Sequence, residues 1–479
     1  MGPLLCYIFQ MRLPRRFTFL LAGLWIVAAS GISVVPPDIW ARGYGGPGRE
    51  RATGVAPDRG GTVYTVGQVA GEATWGRVRV KPAGPDALVA SLDKKGQVVW
   101  AHALGGPGAD EARAVAILPE GDVFVVGSFS GTADFDPGPG RTELASAGST
   151  DVFVLRLTPR GELVWARRLG GPQEDTGLDI AVDTRGVYVS GSFQGLMDAG
   201  RMDAGPSRLG SAGKADGFVA KLDLSGSLQW TQRIGGPQDD AARSLAIDTN
   251  SANGEIWVAG SFEEKAGIGQ EGGAPLESEG KSDGFLVRLG PDGTALWSGR
   301  IGGKKEDEVT AVAVGAAGVW FTGYFTGTAD FDPGSSITTM AGVGKADAFV
   351  ARLAKTGQLR WVQQISGPHY DTGTGLAPDG EGGVWALSVQ IERSGFRLDP
   401  ESTDDRAALT RFDRDGARKI TREMAGEGGL RALDVALDSA GNPCVAGVFR
   451  GKGTIITGFE VVKLTGAGQT DALVSRIVR

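Results

Sequence analysis

The chain repeats one phrase about seven times, and this repetition limits its fold more than any other feature. The phrase opens Asp-x-Phe-Val-x-x-Leu-Asp-x-x-Gly, passes a Trp and Gly-Gly-Pro-x-x-Asp, and ends on Val-Tyr-Val-x-Gly-Ser-Phe. Its opening Asp falls at Asp86, Asp151, Asp216, Asp283, Asp347 and Asp471. The first intervals are 65, 65, 67 and 64 residues, and a degenerate copy near Asp405 divides the remaining 124. A unit of this length, carrying four strand-like runs, points to a β-propeller.

The copy that starts at Asp175 shows the four runs. Leu178 to Val182 is a short apolar strand, and Asp183-Thr184-Arg185-Gly186 is a tight turn. Val187 to Phe193 alternates, a segment of about twenty residues reaches Asp216, and Gly217 to Leu222 is the third strand. Leu224-Ser225-Gly226 turns the chain into Leu228 to Ile234, which holds Trp230. Alternation bounded by glycine-containing turns is the mark of antiparallel meanders. The abundant glycine (78 residues) fits the same picture, because it clusters at these turns.

The two ends of the chain predict how the ring closes. Residues 38–47 match the Trp strand and its Gly-Gly-Pro loop but have no partner strands before them. Leu433 to Leu437, Pro443 to Phe449 and Ala472 to Val478 are three strands lacking a fourth. The expectation is an all-β, seven-bladed β-propeller of four-stranded antiparallel blades, closed by the N-terminal outer strand on the C-terminal blade. Closure removes the sheet edges that template aggregation. Trp40, Trp100, Trp165, Trp230, Trp297 and Trp361 share one outer-strand position, with Ile420 in the remaining blade. Such rings either bind a ligand or pack between sheets, and packing buries the most area. Gly67, Gly127, Gly191, Gly260, Gly323 and Gly447 recur in the second strand, where a neighbouring side chain is expected to approach the backbone closely.

The N-terminus reads as an export signal. Arg12, Arg15 and Arg16 precede the apolar run Phe17 to Val27, and Ala28-Ala29-Ser30-Gly31 offers a cleavage site after Ser30. Residues 1–30 are therefore expected to be a signal peptide, with Met11 an alternative start, and 31–479 a single propeller domain. The alternative is an uncleaved anchor, since the run to Val35 is almost long enough to span a bilayer. Cys6 lies in the leader, which leaves Cys444 as one thiol and no disulfide in the mature protein. The formal net charge is −7 and Lys and Arg are scattered, which argues against nucleic-acid binding.

With these motifs in hand, residues 38–479 resemble the bacterial SBBP-type β-propeller repeat family. The likeness is carried by Asp-x-Phe-Val-x-x-Leu-x-x-x-Gly-x-x-x-Trp, Gly-Gly-Pro and Val-x-Gly-Ser-Phe recurring in order. It implies an exported or surface-associated repeat protein and no common enzymatic activity. The sixth blade departs from the pattern: its Trp is lost, its opening Asp is offset, and Ser388 replaces the strand glycine.

In an up-down-up-down blade, the loop after the second strand and the loop leaving the fourth emerge on one face. Those are the long loops here, so binding is expected on that face. Two acidic sets lie on it. Glu50, Asp110, Asp175, Asp240, Asp307 and Asp371 form a ring broken by Leu430, expected near the channel mouth. They could attract a cation or cationic ligand; alternatively each caps backbone amides of its own turn. Recurrence in nearly every blade favours capping, because a single site needs the residue once. The second set is Ala-Asp-Phe-Asp-Pro-Gly at Ala133–Gly138 and Ala329–Gly334, with degenerate forms around Asp198, Asp203 and Asp399. Asp134, Asp136, Asp330 and Asp332 could offer calcium several oxygens; Pro-Gly is also an ordinary turn signal. No other cofactor is implied. His102 and His369 are the only histidines and lie far apart in sequence, which leaves carboxylates as the acid-base groups.

The sequence thus predicts a secreted, periplasmic or cell-surface scaffold that binds a protein or glycan on its long-loop face. It is expected to be monomeric, with no membrane span after signal removal. The alternative is a carbohydrate-active enzyme, a glycosidase or lyase, using carboxylates on the same face.

Overall fold

Alternating β-branched and aromatic residues bounded by glycine turns give sheets and no helix among the described residues. The computed structural model describes residues 39–479 apart from 203–204, 252, 269–274, 366, 392–404 and 457–460. The predicted signal peptide, Asp203 and Asp399 lie outside the described residues. Asp38–Arg479 forms one compact unit.

Seven four-stranded antiparallel blades follow one another as predicted. Blade 1 is Arg49–Pro57, Val63–Ala70, Pro85–Leu92 and Val98–Leu104, from inner to outer strand. The inner strands of blades 2 to 7 are Glu111–Ile117, Asp175–Asp183, Ala241–Ile247, Glu308–Gly315, Tyr370–Pro378 and Leu430–Leu437. Blade 7 takes its outer strand from the other end of the chain. Trp40–Tyr44 pairs antiparallel with Asp471–Arg476, from Trp40 opposite Arg476 to Tyr44 opposite Ala472.

Every inner strand carries a register shift, for instance between Ala52 and Gly54 and between Ala112 and Ala114. This bulge is what the second-strand glycine serves. A Cβ at Gly127 would collide with the Glu111 carbonyl, and one at Gly67 with the Arg51 carbonyl. The close neighbour is thus first a backbone carbonyl rather than the side chain expected from the sequence. In blade 6, Ser388 faces Gly373, so the glycine has moved across the ladder.

The outer tryptophans are packing residues. The Nε1 of Trp40, Trp100, Trp165, Trp230 and Trp361 donates to a carbonyl in the outer turn of the next blade, at 3.0–3.1 Å. That turn presents a glycine with positive φ against the indole; Gly161 (φ 82°) lies over Trp100 and Gly357 (φ 89°) over Trp297. Only glycine leaves room there without backbone strain. Ile420 packs into the core cluster of blades 6 and 7 instead. Inside blades 1 to 4, a second-strand aromatic backs the Trp, as Trp257 does Trp297 at 5.4 Å. Cys444 fills that place in blade 7, fully buried and unpaired, with its thiol pKa pushed up to about 12 by burial.

The segment between second and third strands, expected as a loop, holds a short hairpin. Thr132–Asp134 pairs with Glu143–Ala145, and Thr328–Asp330 with Thr339–Ala341. Each described hairpin reaches back to the outer strand of the preceding blade. Gly302 and Gly303 pair with Asp330 and Ala329, Ile234 pairs with Ile268, and Gly105 bridges Asp134. Hairpin and Gly-Gly-Pro loop therefore share one face, as strand order requires.

Candidate functional site

Six of the seven junctions between blades on the long-loop face are built around two carboxylates. The ring acid accepts the amide of the residue four places upstream: Gly46 to Glu50, Gly106 to Asp110, Gly171 to Asp175, Gly236 to Asp240, Gly303 to Asp307 and Gly367 to Asp371, at 2.5–2.9 Å. Several hold a second amide, such as Ser130 to Asp110 and Thr326 to Asp307. The opening Asp of the preceding blade caps its own loop in the same way; Asp216 accepts Ala212 N–H and Asp347 accepts Val343 N–H. The first glycine of Gly-Gly-Pro lies between the two acids, and a Cβ at Gly105 would meet both Asp110 and Asp86.

These ring acids are at most 4% exposed. Their side chains are drawn into the junctions rather than standing in the open channel mouth where the sequence pattern put them, although Glu50 also lines a cavity at the mouth. The physical reason is the row of unpaired amides in a glycine-rich loop, which draws the carboxylate inward. Burial pushes the carboxyl pKa of Glu50 and Asp175 up to about 7, that of Asp240 to about 8, and those of Asp110, Asp307 and Asp371 to about 6. The facing acid adds to the rise at every one of these junctions. Where Leu430 breaks the ring, the offset Asp405 pairs instead with the buried Arg431.

The Ala-Asp-Phe-Asp-Pro-Gly motifs are the tips of two hairpins. Asp134 Oδ1 accepts the amides of Asp136 and Thr142 at 3.1 and 2.9 Å, and Asp136 Oδ1 accepts that of Gly138 at 2.8 Å. Asp330 and Asp332 repeat this pattern on Asp332, Thr338 and Gly334. The phenylalanine between the aspartates is fully buried; Phe135 sits 4.7 Å from Phe153, and Phe331 4.8 Å from Phe349. Sequence reading missed this anchor because a lone Phe among polar residues carries no period. Among the described residues, no three His, Cys, Asp or Glu side chains converge in a metal-binding arrangement.

What the repeat does not make uniform lies at the mouth of the channel. The position after each ring acid is Arg51, Glu111, Thr176, Ala241, Glu308, Thr372 and, after Leu430, Arg431. Two positions further on, Thr53, Thr310 and Thr374 donate their hydroxyls to an inner-strand carbonyl of the next blade, Ala112, Gly373 and Ala432, whereas blades 2 and 4 carry Arg113 and Arg243. Glu111 bridges two guanidiniums, Arg51 at 2.6 Å and Arg113 at 2.9 Å. Across the ring Arg243 pairs with Glu308 at 2.5 Å. Just before the ring acids stand Arg49 in blade 1 but Glu174, Asp239 and Glu306 in blades 3 to 5. The mouth is therefore basic over blades 7, 1 and 2 and acidic opposite.

A cavity of about 270 Å³ opens on the basic side, lined by Arg51, Gln68, Glu111, Arg113, Leu433 and Val448 among others. Below it, a channel cavity of about 280 Å³ is lined by all seven inner strands. There Asp179 Oδ2 accepts the Leu245 amide and Asp434 Oδ2 the Val55 amide, and burial pushes both carboxyls up to about 6. His102 lies in an outer strand and stacks on Trp100 at 5.1 Å, away from the mouth. The ring carboxylates, closed in amide caps, give the acid-base enzyme alternative no support. The arginines could have been found in the sequence only as breaks in the repeat.

No family model matches the chain. It is 30% identical over 208 residues, 42% of its length, to the regulatory protein FlaEY of Caulobacter vibrioides. It is 24% identical over 157 residues, 31% of its length, to an uncharacterized WD repeat-containing protein of Acanthamoeba polyphaga mimivirus. The matches span 20% and 11% of those proteins, so the chain corresponds to a small part of each. Among solved structures it is similar to the WD40 domain of Neurospora crassa Pan2 (11% identity, 76% of this chain and 88% of that one, TM-score 0.40). It is also similar to the WD40 propeller domain of Doa1 (10% identity, 91% and 97%, TM-score 0.42).

Proposed function

We propose that the protein is an exported, SBBP-like repeat propeller that serves as a binding scaffold at the cell envelope or outside the cell. Its ligand docks at the channel mouth on the long-loop face. The supporting observation is the contrast between a uniform frame and a non-uniform mouth. Acid caps, tryptophan clasps and bulge glycines recur from blade to blade with the same partners, as a purely structural need would require. The inner-strand residues that face the mouth differ in nearly every blade, as recognition of one asymmetric ligand requires.

The test is a binding screen of the full chain on peptide and glycan arrays, in calcium and in EDTA. Saturable retention of a ligand class is expected. Retention of nothing on either array contradicts the scaffold reading, and release of new reducing ends from the glycans would show the enzyme alternative instead.

A further inference from the structure

We propose that the cavity between blades 7, 1 and 2 is a carboxylate-binding site whose ligand is an acidic segment of a partner polypeptide. This rests on the scaffold reading above and narrows it to one chemistry. Arg51 and Arg113 share the single carboxylate of Glu111. The whole lining sets Arg49, Arg51, Arg113 and Arg431 against Glu50, Glu111 and the Asp405 that pairs with Arg431, so the cavity keeps a net positive charge inside a chain whose formal net charge is −7. Their Nε atoms are buried and have no hydrogen-bond partner among the described residues. Arg431, paired with Asp405, closes the wall next to them. The guanidinium fork matches a carboxylate through two parallel N–H bonds, and low-dielectric walls focus the field on an approaching anion.

Lining separates a polypeptide from other carboxylate sources. The cavity of about 270 Å³ opens past Thr53, Arg113 and Leu433 into the wider channel mouth, which leaves room for one or two side chains reaching in from a larger body. Leu433 and Val448 supply an apolar wall for the methylenes of a Glu side chain. The described lining contains no aromatic ring, so a uronic acid would find no flat apolar face to stack on. The acidic arc opposite, with Glu174 and Asp239 exposed, repels a ligand that is negative along its whole length from lying across the mouth. It therefore directs the acidic segment to the basic side.

The experiment titrates the full chain with fluorescently labelled hexaglutamate and reads anisotropy at low and moderate salt. Oligogalacturonate, inorganic phosphate and hexalysine are the comparison probes. Hexaglutamate should bind saturably and more weakly as salt rises. Losing a charged hydrogen bond in Arg113→Ala should weaken binding roughly tenfold or more. Arg51→Lys, which keeps charge but loses the fork, should cost less than Arg51→Ala. Thr184→Ala, exposed in the tight turn Asp183–Gly186 away from the mouth, should leave affinity unchanged, and thermal melts check that each variant is folded. Absence of hexaglutamate binding, or binding indifferent to both arginines, overturns the proposal. Tighter arginine-dependent binding of oligogalacturonate overturns the polypeptide assignment in favour of a glycan. Phosphate competing as well as hexaglutamate overturns it in favour of a general oxyanion site. If an array ligand binds while hexaglutamate does not, the carboxylate chemistry fails and the scaffold reading stands; if neither binds, both fail.

Discussion

A glycine amide and a carboxylate four residues apart, repeated at six of the seven junctions, set the acid response of this protein. Burial lifts the folded-state pKa of Asp240 to about 8, while an aspartate in the unfolded chain titrates near 4. The folded protein therefore binds more protons than the unfolded chain between about pH 4 and 8. Stability from such a raised group is present at the acid end and is lost as pH rises through its folded pKa. The melting temperature should rise as pH is lowered from 8 to 5, and Asp240→Asn should flatten part of that slope. A melting temperature that falls across this window contradicts the assignment. Asp134 and Asp136 make a second test at this scale, because both already serve backbone amides. Melting should be the same in calcium and in EDTA, and Asp136→Asn should stay within about 0.5 kcal/mol, as for an ordinary surface change. A calcium-dependent rise would show that an ion reaches the remaining oxygens. The acids were legible in the sequence because they recur. Arg51, Arg113 and Arg431 were not, since a residue that breaks a repeat looks the same as surface variation until the blades are closed.

Single strands and hairpins carry the cohesion between blades. Trp40 is 3% exposed, and its Nε1 donates to Lys94 of blade 1 while its strand completes blade 7. Trp40→Ala should cost about 3–5 kcal/mol in urea unfolding, the range for removing a buried large aromatic. Deleting residues 39–44 should do more, because it uncovers the whole edge of Asp471–Arg476 and invites association. A deletion variant with unchanged stability and no aggregation would show that the ring does not depend on this closure. Strand number and closure could be read from sequence, since the one-strand and three-strand remainders at the ends are complementary. The hairpins between second and third strands could not. Runs as short as Thr132–Asp134 show no alternation long enough to recognise, and they form because the preceding outer strand offers a partner.

At the scale of the whole molecule, repetition builds a frame and its exceptions build a site. The leader makes the proposal of export directly testable. N-terminal sequencing of native protein should begin near Gly31, outside the cytoplasm, and a sequence still reading from Met1 or Met11 would count against cleavage. The central claim is that ligand binding belongs to the irregular mouth and not to the regular ring. Hydrogen exchange of the full chain, with and without saturating hexaglutamate, tests this most directly. Protection should concentrate at the starts of the inner strands of blades 1, 2 and 7, around Arg51, Arg113 and Arg431, with the turn face at Asp183–Gly186 unchanged. Protection spread evenly over the seven blades, or confined to the turn face, would contradict it.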